Sequence, residues 1–293
     1  DIVSPLRIKT LIDFDIDLLI GTYINNNVNK TFVYRWDTES VSWLSSDPIE
    51  EVGVNAFIRD DNFVYAQCGI SGRIYLYDGQ NLVPFKRIPG DWSSTATAEV
   101  YPQAVSTHLT VPVFGLSNIT GNPALQGVYS FGSYGKDYPK VLDLSYPISA
   151  ATMATIAIGC VLAVGADLFV AWQSGATYGV DKLDSTAKYA SSYIETMILT
   201  PAQTRSFLKT AKKFFANYAL LPANTGITFY YKKAHETNYS SALTSITDTK
   251  LLQVRAEASI PEVAALQIKI AFTVSTNDAP QVESFGVTDN TEK

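Results

Sequence analysis

The chain has 293 residues, 46% of them hydrophobic and only 17% charged, so it can bury a core and is not a disordered tail. A formal net charge of −6 excludes a broad basic footprint for nucleic acid. Aromatics reach 12%, led by 17 Tyr and 14 Phe, and together with abundant Thr, Ser and Val they favour strands over surface helices.

The chain begins at Asp1 rather than Met, and no signal peptide opens it, so a processed or partial chain is expected. Four segments then share one pattern: an apolar strand ending in or near Gly, a short gap, and a second strand carrying Tyr. They are Leu18–Gly21 with Phe32–Asp37, Phe63–Gly69 with Arg73–Gly79, Leu109–Gly115 with Gly127–Gly132, and Leu168–Gly175 with Thr177–Asp181. The glycines at 21, 69, 115 and 175 are spaced 48, 46 and 60 residues apart. The first two spacings match the roughly 40–50 residue period of propeller blades. Hairpins of this kind cannot bury both faces alone, and stacking them side by side makes a continuous core. Asp78-Gly79 signals a turn, and Asn81–Phe85 reads as an outer strand that tolerates Pro84 at a sheet edge. A generic antiparallel sandwich is the competing reading. Four units are few for a closed ring, so the expectation is either an incomplete ring or one closed by another part of a longer chain.

The repeat stops after Asp184. Ile194–Thr200 predicts a strand. Thr200-Pro201-Ala202-Gln203 resembles a helix start, while Lys213–Leu220 reads better as a strand before the turn Leu221–Gly226. Strands follow at Ile227–Lys232, around Val254 and Ala256 up to Ile260-Pro261-Glu262, at Leu266–Val274 and at Gln281–Val287. The fold class is therefore all-β: β-propeller-like repeats of antiparallel strands over residues 1–189, followed by an antiparallel β-sandwich domain over residues 190–293.

Chemistry is sparse. Cys68 and Cys160 sit in apolar runs and read as buried free thiols, too few for a disulfide framework or a zinc site. His108 and His235 lie in unrelated segments and read as surface or cap residues. Asp13, Asp15 and Asp17 alternate, which places three carboxylates on one strand face and reads as a solvated face rather than a calcium site. The apolar stretch Met153–Val170 is broken by Gly159, Gly165 and Asp167 and is a weak membrane candidate. Three Asn-x-Ser/Thr sequons, at Asn29, Asn118 and Asn238, are expected by chance in so Thr- and Ser-rich a chain. No serine-hydrolase elbow, phosphate loop or zincin motif occurs, so no catalytic, cofactor-binding or metal residue is expected. Trp36, Trp43, Trp92, Tyr230 and Tyr231 are candidate interaction residues, because their rings can stack on sugars or fill a protein interface.

The run Asn62–Gly90, with Ile-Tyr-Leu-Tyr-Asp-Gly and a terminal Ile-Pro-Gly, resembles blades of propeller-like virion structural proteins of tailed bacteriophages. The order Tyr193–Thr196, Lys212-Lys213-Phe214, Leu221–Ile227, Phe229–Lys232, Leu266–Ile270 and Pro280–Phe285 is similar to a β-domain of phage tail and connector proteins. That resemblance implies a non-enzymatic component of the virion near the portal or tail. Its partners would be other virion proteins and copies of itself, with packaged DNA passing through a channel and no membrane contact. The alternative is a carbohydrate-recognising, receptor-binding β module with a glycan as partner, and after it a glycan-cleaving enzyme with two carboxylates converging at the propeller centre.

Overall fold

The computed structural model describes residues 2, 5–24, 30–60, 63–88, 97–117, 126–133, 140–149, 156–184, 186–188, 190, 192–196, 198–199, 209–236, 238–242, 245–247, 252–263, 265–275 and 277–289. The fold is all-β and propeller-like, and the described residues contain no helix. The chain divides into two compact units, Asp1–Leu183 and Asp184–Lys293.

The first unit consists of four antiparallel meanders in succession. The first blade is β1 (Arg7–Phe14), β2 (Asp17–Tyr23), β3 (Thr31–Trp36) and β4 (Ser45–Ile49). The second is β5 (Val54–Asp60), β6 (Phe63–Cys68), β7 (Arg73–Tyr77) and β8 (Leu82–Arg87). The third is β9 (Val105–His108), β10 (Val111–Leu116), β11 (Gly127–Gly132) and β12 (Val141–Tyr146). The fourth is β13 (Ala157–Val164), β14 (Asp167–Ser174) and β15 (Thr177–Lys182). Within each sheet the strands follow one another in sequence order. The strand pairs legible in the sequence are the second and third strands of each blade.

Turn chemistry sets these meanders. Asp15 (φ 57), Leu109 and Thr110 (φ 47 and 70), Gly165 (φ 62) and Gly175 (φ 59) place positive φ in two-residue hairpin loops, which suits the twist of the flanking strands. The Asp13–Asp17 segment is therefore not one strand. Asp15 turns the chain, Asp13 on β1 pairs with Arg59, and buried Asp17 on β2 pairs with Arg35. Alternation alone cannot tell a strand from a tight hairpin.

Period-2 alternation builds three cores between consecutive blades. Along β6, Val64, Ala66 and Cys68 join Leu19 and Val33 of the first blade, while Tyr65 turns the other way to Phe114 and Phe131 of the third. Along β10, Phe114 and Leu116 face the second blade, and Val113 faces Ile158 and Leu168 of the fourth. Each fully buried side chain of this size contributes about 1.5–3 kcal/mol. The four repeat glycines are not equivalent. Gly21 and Gly115 lie inside β2 and β10 at close approaches, where a Cβ would strike Thr10 and Val54 (2.6 and 2.8 Å) or Ile158. Gly69 (φ 65) and Gly175 are turn residues. Sequence spacing merged two different demands on glycine.

Glu51 is buried against Gly69, with Arg73 Nη1 3.0 Å from its carboxylate and the Tyr75 hydroxyl 3.5 Å away. Burial pushes the Glu51 carboxyl above its ordinary value, opposed by Arg73. Cys68 is a buried free thiol, but Cys160 is exposed, because residue 160 points to the other face of β13 from core residue Val161. His108 is buried rather than a surface residue, with Nε2 3.0 Å from the Ala166 carbonyl. The described part of the apolar run Met153–Val170 contributes to the hairpin β13–β14, and among the described residues no helix is long and apolar enough to cross a membrane.

The second unit pairs two sheets face to face. Its strands are β16 (Tyr193–Glu195), β17 (Lys209–Tyr218), β18 (Gly226–Lys233), β19 (Ser240–Ser241), β20 (Gln253–Val263), β21 (Leu266–Thr273) and β22 (Val282–Asp289). One sheet has the order β16-β21-β18-β19, the other β20-β17-β22. Phe214, Ala216 and Tyr218 of β17 meet Ile227, Phe229, Ile268 and Ile270 in the core between them. Pro261 lies in β20, an edge strand that tolerates a missing N–H donor. The helix start expected at Thr200–Gln203 lies outside the described residues.

Candidate functional site

β21 alternates cleanly. Leu266, Ile268 and Ile270 are buried in the sandwich core, so Gln267, Lys269 and Ala271 point to its outer face. Register decides their neighbours. Lys269 lies opposite Tyr230 of β18 and Glu195 of β16, Ala271 opposite Tyr193, and Gln267 opposite Lys232.

This brings three tyrosines around one lysine. Lys269 Nζ is 4.9 Å from the Tyr193 ring centroid, 5.4 Å from Tyr230 and 4.9 Å from Tyr239. Tyr239 comes from the connection between β18 and β19, and Lys232 Nζ also sits 4.8 Å from its ring. Ammonium over a tyrosine face contributes about 0.5–1 kcal/mol at exposed sites and more where water is excluded. The rings are thereby held in place while half of Tyr193 (51%) remains exposed. Burial raises the Tyr239 hydroxyl well above its ordinary value, and the neighbouring Glu195 carboxylate raises it further, so it stays protonated. Gln267 Nε2 donates to the Thr196 carbonyl at 2.9 Å, which ties the segment after β16 to this face. The result is a solvent-facing sheet surface with aromatic rings, two ammoniums and a carboxylate, with the Tyr239 hydroxyl buried beneath it. Such a surface can stack on a sugar ring and hydrogen-bond its hydroxyls.

A second candidate is a cleft of about 470 Å³ in the first unit, where β1 converges with β5 and β9. Its polar lining includes Lys9, Arg59, Gln103, Ser106 and Thr107. Both cations are already engaged. Lys9 Nζ lies 2.5 Å from Glu99 and donates to Asn55 Oδ1 at 2.9 Å, and Arg59 pairs with Asp13, whose carboxyl is held below its ordinary value chiefly by that hydrogen bond.

The predicted interaction residues separate. Trp43 packs on Tyr34 (4.9 Å) and Trp36 on Trp43 (6.4 Å), and Trp36 Nε1 donates to the Ser40 carbonyl at 2.7 Å. These two rings fold the Asp37–Leu44 loop onto the first blade. Trp92 lies outside the described residues. Tyr230 and Tyr231 are adjacent and so face opposite ways: Tyr230 towards Lys269, and Tyr231 into the sandwich beside Phe214. Sequence reasoning missed Tyr193, Tyr239, Lys232 and Lys269. Only the polar alternation of β21 signalled that an outward face existed there.

No family model matches the chain, and no curated protein matches it. Several solved structures do. An exo-β-1,3-galactanase from Phanerochaete chrysosporium with galactose shares 10% identity over 95% of this chain and 80% of that one, with a TM-score of 0.33. A glycoside hydrolase family 43 arabinoxylan arabinofuranohydrolase from Bacillus subtilis, in complex with cellotetraose, shares 9% over 96% and 66%, with a TM-score of 0.32. A further glycoside hydrolase shares 8% over 93% and 83%, with a TM-score of 0.35. At these values they carry neither substrate nor catalytic residue across to this chain. They do correct the phage resemblance: the structures matched are glycoside hydrolases, not tail or connector proteins, so the virion role and the expectation of a non-enzymatic protein are withdrawn. The physical reason is that the motifs carrying the resemblance are hairpin chemistry. In Ile-Tyr-Leu-Tyr-Asp-Gly the Asp78 carboxylate accepts the Gln80 and Asn81 N–H groups (2.8 and 2.7 Å) and Gly79 takes φ 99, as any such turn requires.

Proposed function

We propose that this protein recognises carbohydrate through the outer face of its second unit. The observation that carries the reading is the set of three tyrosine rings around Lys269 on a solvent-facing sheet, with Glu195 and Lys232 at the same place. Aromatic faces match the C–H faces of a pyranose, and the charged groups beside them meet its polar edge. A face on β-strands also keeps its geometry better than one on loops.

Titration calorimetry against a panel of soluble plant and bacterial polysaccharides tests this. The wild-type protein is expected to bind at least one of them. Tyr193→Ala and Tyr230→Ala are each expected to weaken that binding about tenfold, equivalent to about 1.4 kcal/mol. Trp43→Phe, in the first unit, is expected to leave it unchanged. Reducing-end release in the same samples reads whether binding is joined to cleavage. Binding that survives both tyrosine variants overturns the assignment to this face.

A further inference from the structure

We infer that the sugar this face selects is anionic, a uronate or another acid-bearing pyranose; the inference rests on the reading of the face as a carbohydrate site. The argument comes from the placement of two lysines. Lys232 and Lys269 are both half-buried, and among the described residues neither has a carboxylate within ion-pair distance. Half-buried Lys86 of the first unit also lacks one, but Lys232 and Lys269 converge on one tyrosine ring.

Geometry makes the two ammoniums one site. Each lies within 5 Å of the Tyr239 centroid, at 4.8 and 4.9 Å, so a single ring seated beside Tyr239 is within reach of both. Glu195, across the strand pair from Lys269, is the carboxylate of this face, and its charge acts on the Tyr239 hydroxyl. Among these described residues, two positive charges and one negative charge bias the face towards an anion. Half-buried ammoniums are screened less than exposed ones, so the bias acts at ordinary ionic strength. A neutral sugar would leave both ammoniums with only the tyrosine rings as partners, whereas an acidic sugar gives each a charge-assisted hydrogen bond.

The test compares polymers of one backbone with and without charge: polygalacturonate against its fully methyl-esterified form, and a sulfated galactan against the unsulfated galactan. Affinity electrophoresis of the full chain is expected to show at least tenfold tighter binding to an anionic member than to its neutral counterpart. Raising NaCl from 50 to 500 mM is expected to remove most of that preference. Lys269→Gln and Lys232→Gln are each expected to reduce it at least fivefold, while Lys86→Gln in the first unit leaves it unchanged. Circular dichroism of each variant separates lost binding from lost folding, and the salt series needs no variant at all. Equal binding to charged and neutral members overturns the inference and leaves the carbohydrate reading standing. Binding to none of the four, nor to any polysaccharide of the panel, overturns both.

Discussion

The two units place their cations differently. In the first, Lys9, Arg35, Arg59, Arg73, Lys140 and Lys182 are tied to carboxylates, and several of the pairs join blades: Arg59 of β5 reaches Asp13 of β1, Lys140 reaches Asp60, and Lys9 reaches Glu99. Charge there closes the stack over cores that already hold it together. In the second unit the sandwich core is equally apolar, but Lys232 and Lys269 lie on tyrosine faces and not on acids. Lysines matched internally leave little for a ligand, whereas lysines held by rings are placed and still open to an anion. The difference teaches where to look for binding: where two lysines converge on tyrosine rings and not on acids.

The strongest way to break this comparison is to ask whether the units stand separately. Phe114→Ala between the second and third blades and Phe229→Ala in the sandwich core each remove a fully buried ring, and each should cost about 3–5 kcal/mol. Scanning calorimetry should show each variant lowering only its own unit's transition. A joint shift would show one cooperative body. Next in size is Gly115→Ala, whose Cβ would meet Ile158 and should cost about 1–3 kcal/mol in urea unfolding. Gly159→Ala, with nothing within 4 Å of its added Cβ, should stay within about 0.5 kcal/mol.

The pH dependence sharpens the comparison further. Glu51 keeps its proton to higher pH in the folded protein than in the unfolded chain. Its contribution to stability is therefore fullest below the ordinary carboxyl value of 4.5 and is lost as pH rises through the raised value. Urea midpoints of the first unit between pH 4.5 and 8 should fall less steeply in Glu51→Gln than in the wild type, and the second unit's should not respond to the change. A smaller pH effect is expected at Asp13. Its lowered carboxyl contributes stability that is lost as pH falls, but the pair is exposed, so Asp13→Asn should cost no more than about 1 kcal/mol at neutral pH.

Much of the architecture was legible in the sequence because the middle strands of each blade alternate and end in Gly or Asp-Gly turns. The first strands were less so. β5 is buried at five consecutive positions between two blades, so it shows no alternation to read. Asp13–Asp17 misled because a hairpin preserves the same spacing as a strand. The candidate site was legible only at Tyr230. Tyr193, Tyr239, Lys232 and Lys269 come from four separate stretches of chain, and only the register of β16, β18 and β21 brings them together.

The most direct test of carbohydrate recognition is ring-specific NMR. Protein labelled with ¹³C in its tyrosine rings would be titrated with the best-binding oligosaccharide. The account predicts shifts at Tyr193, Tyr230 and Tyr239, with Tyr77 and Tyr218, buried in the two units' cores, unmoved. Shifts confined to first-unit tyrosines, with the three sandwich-face rings silent, would contradict it.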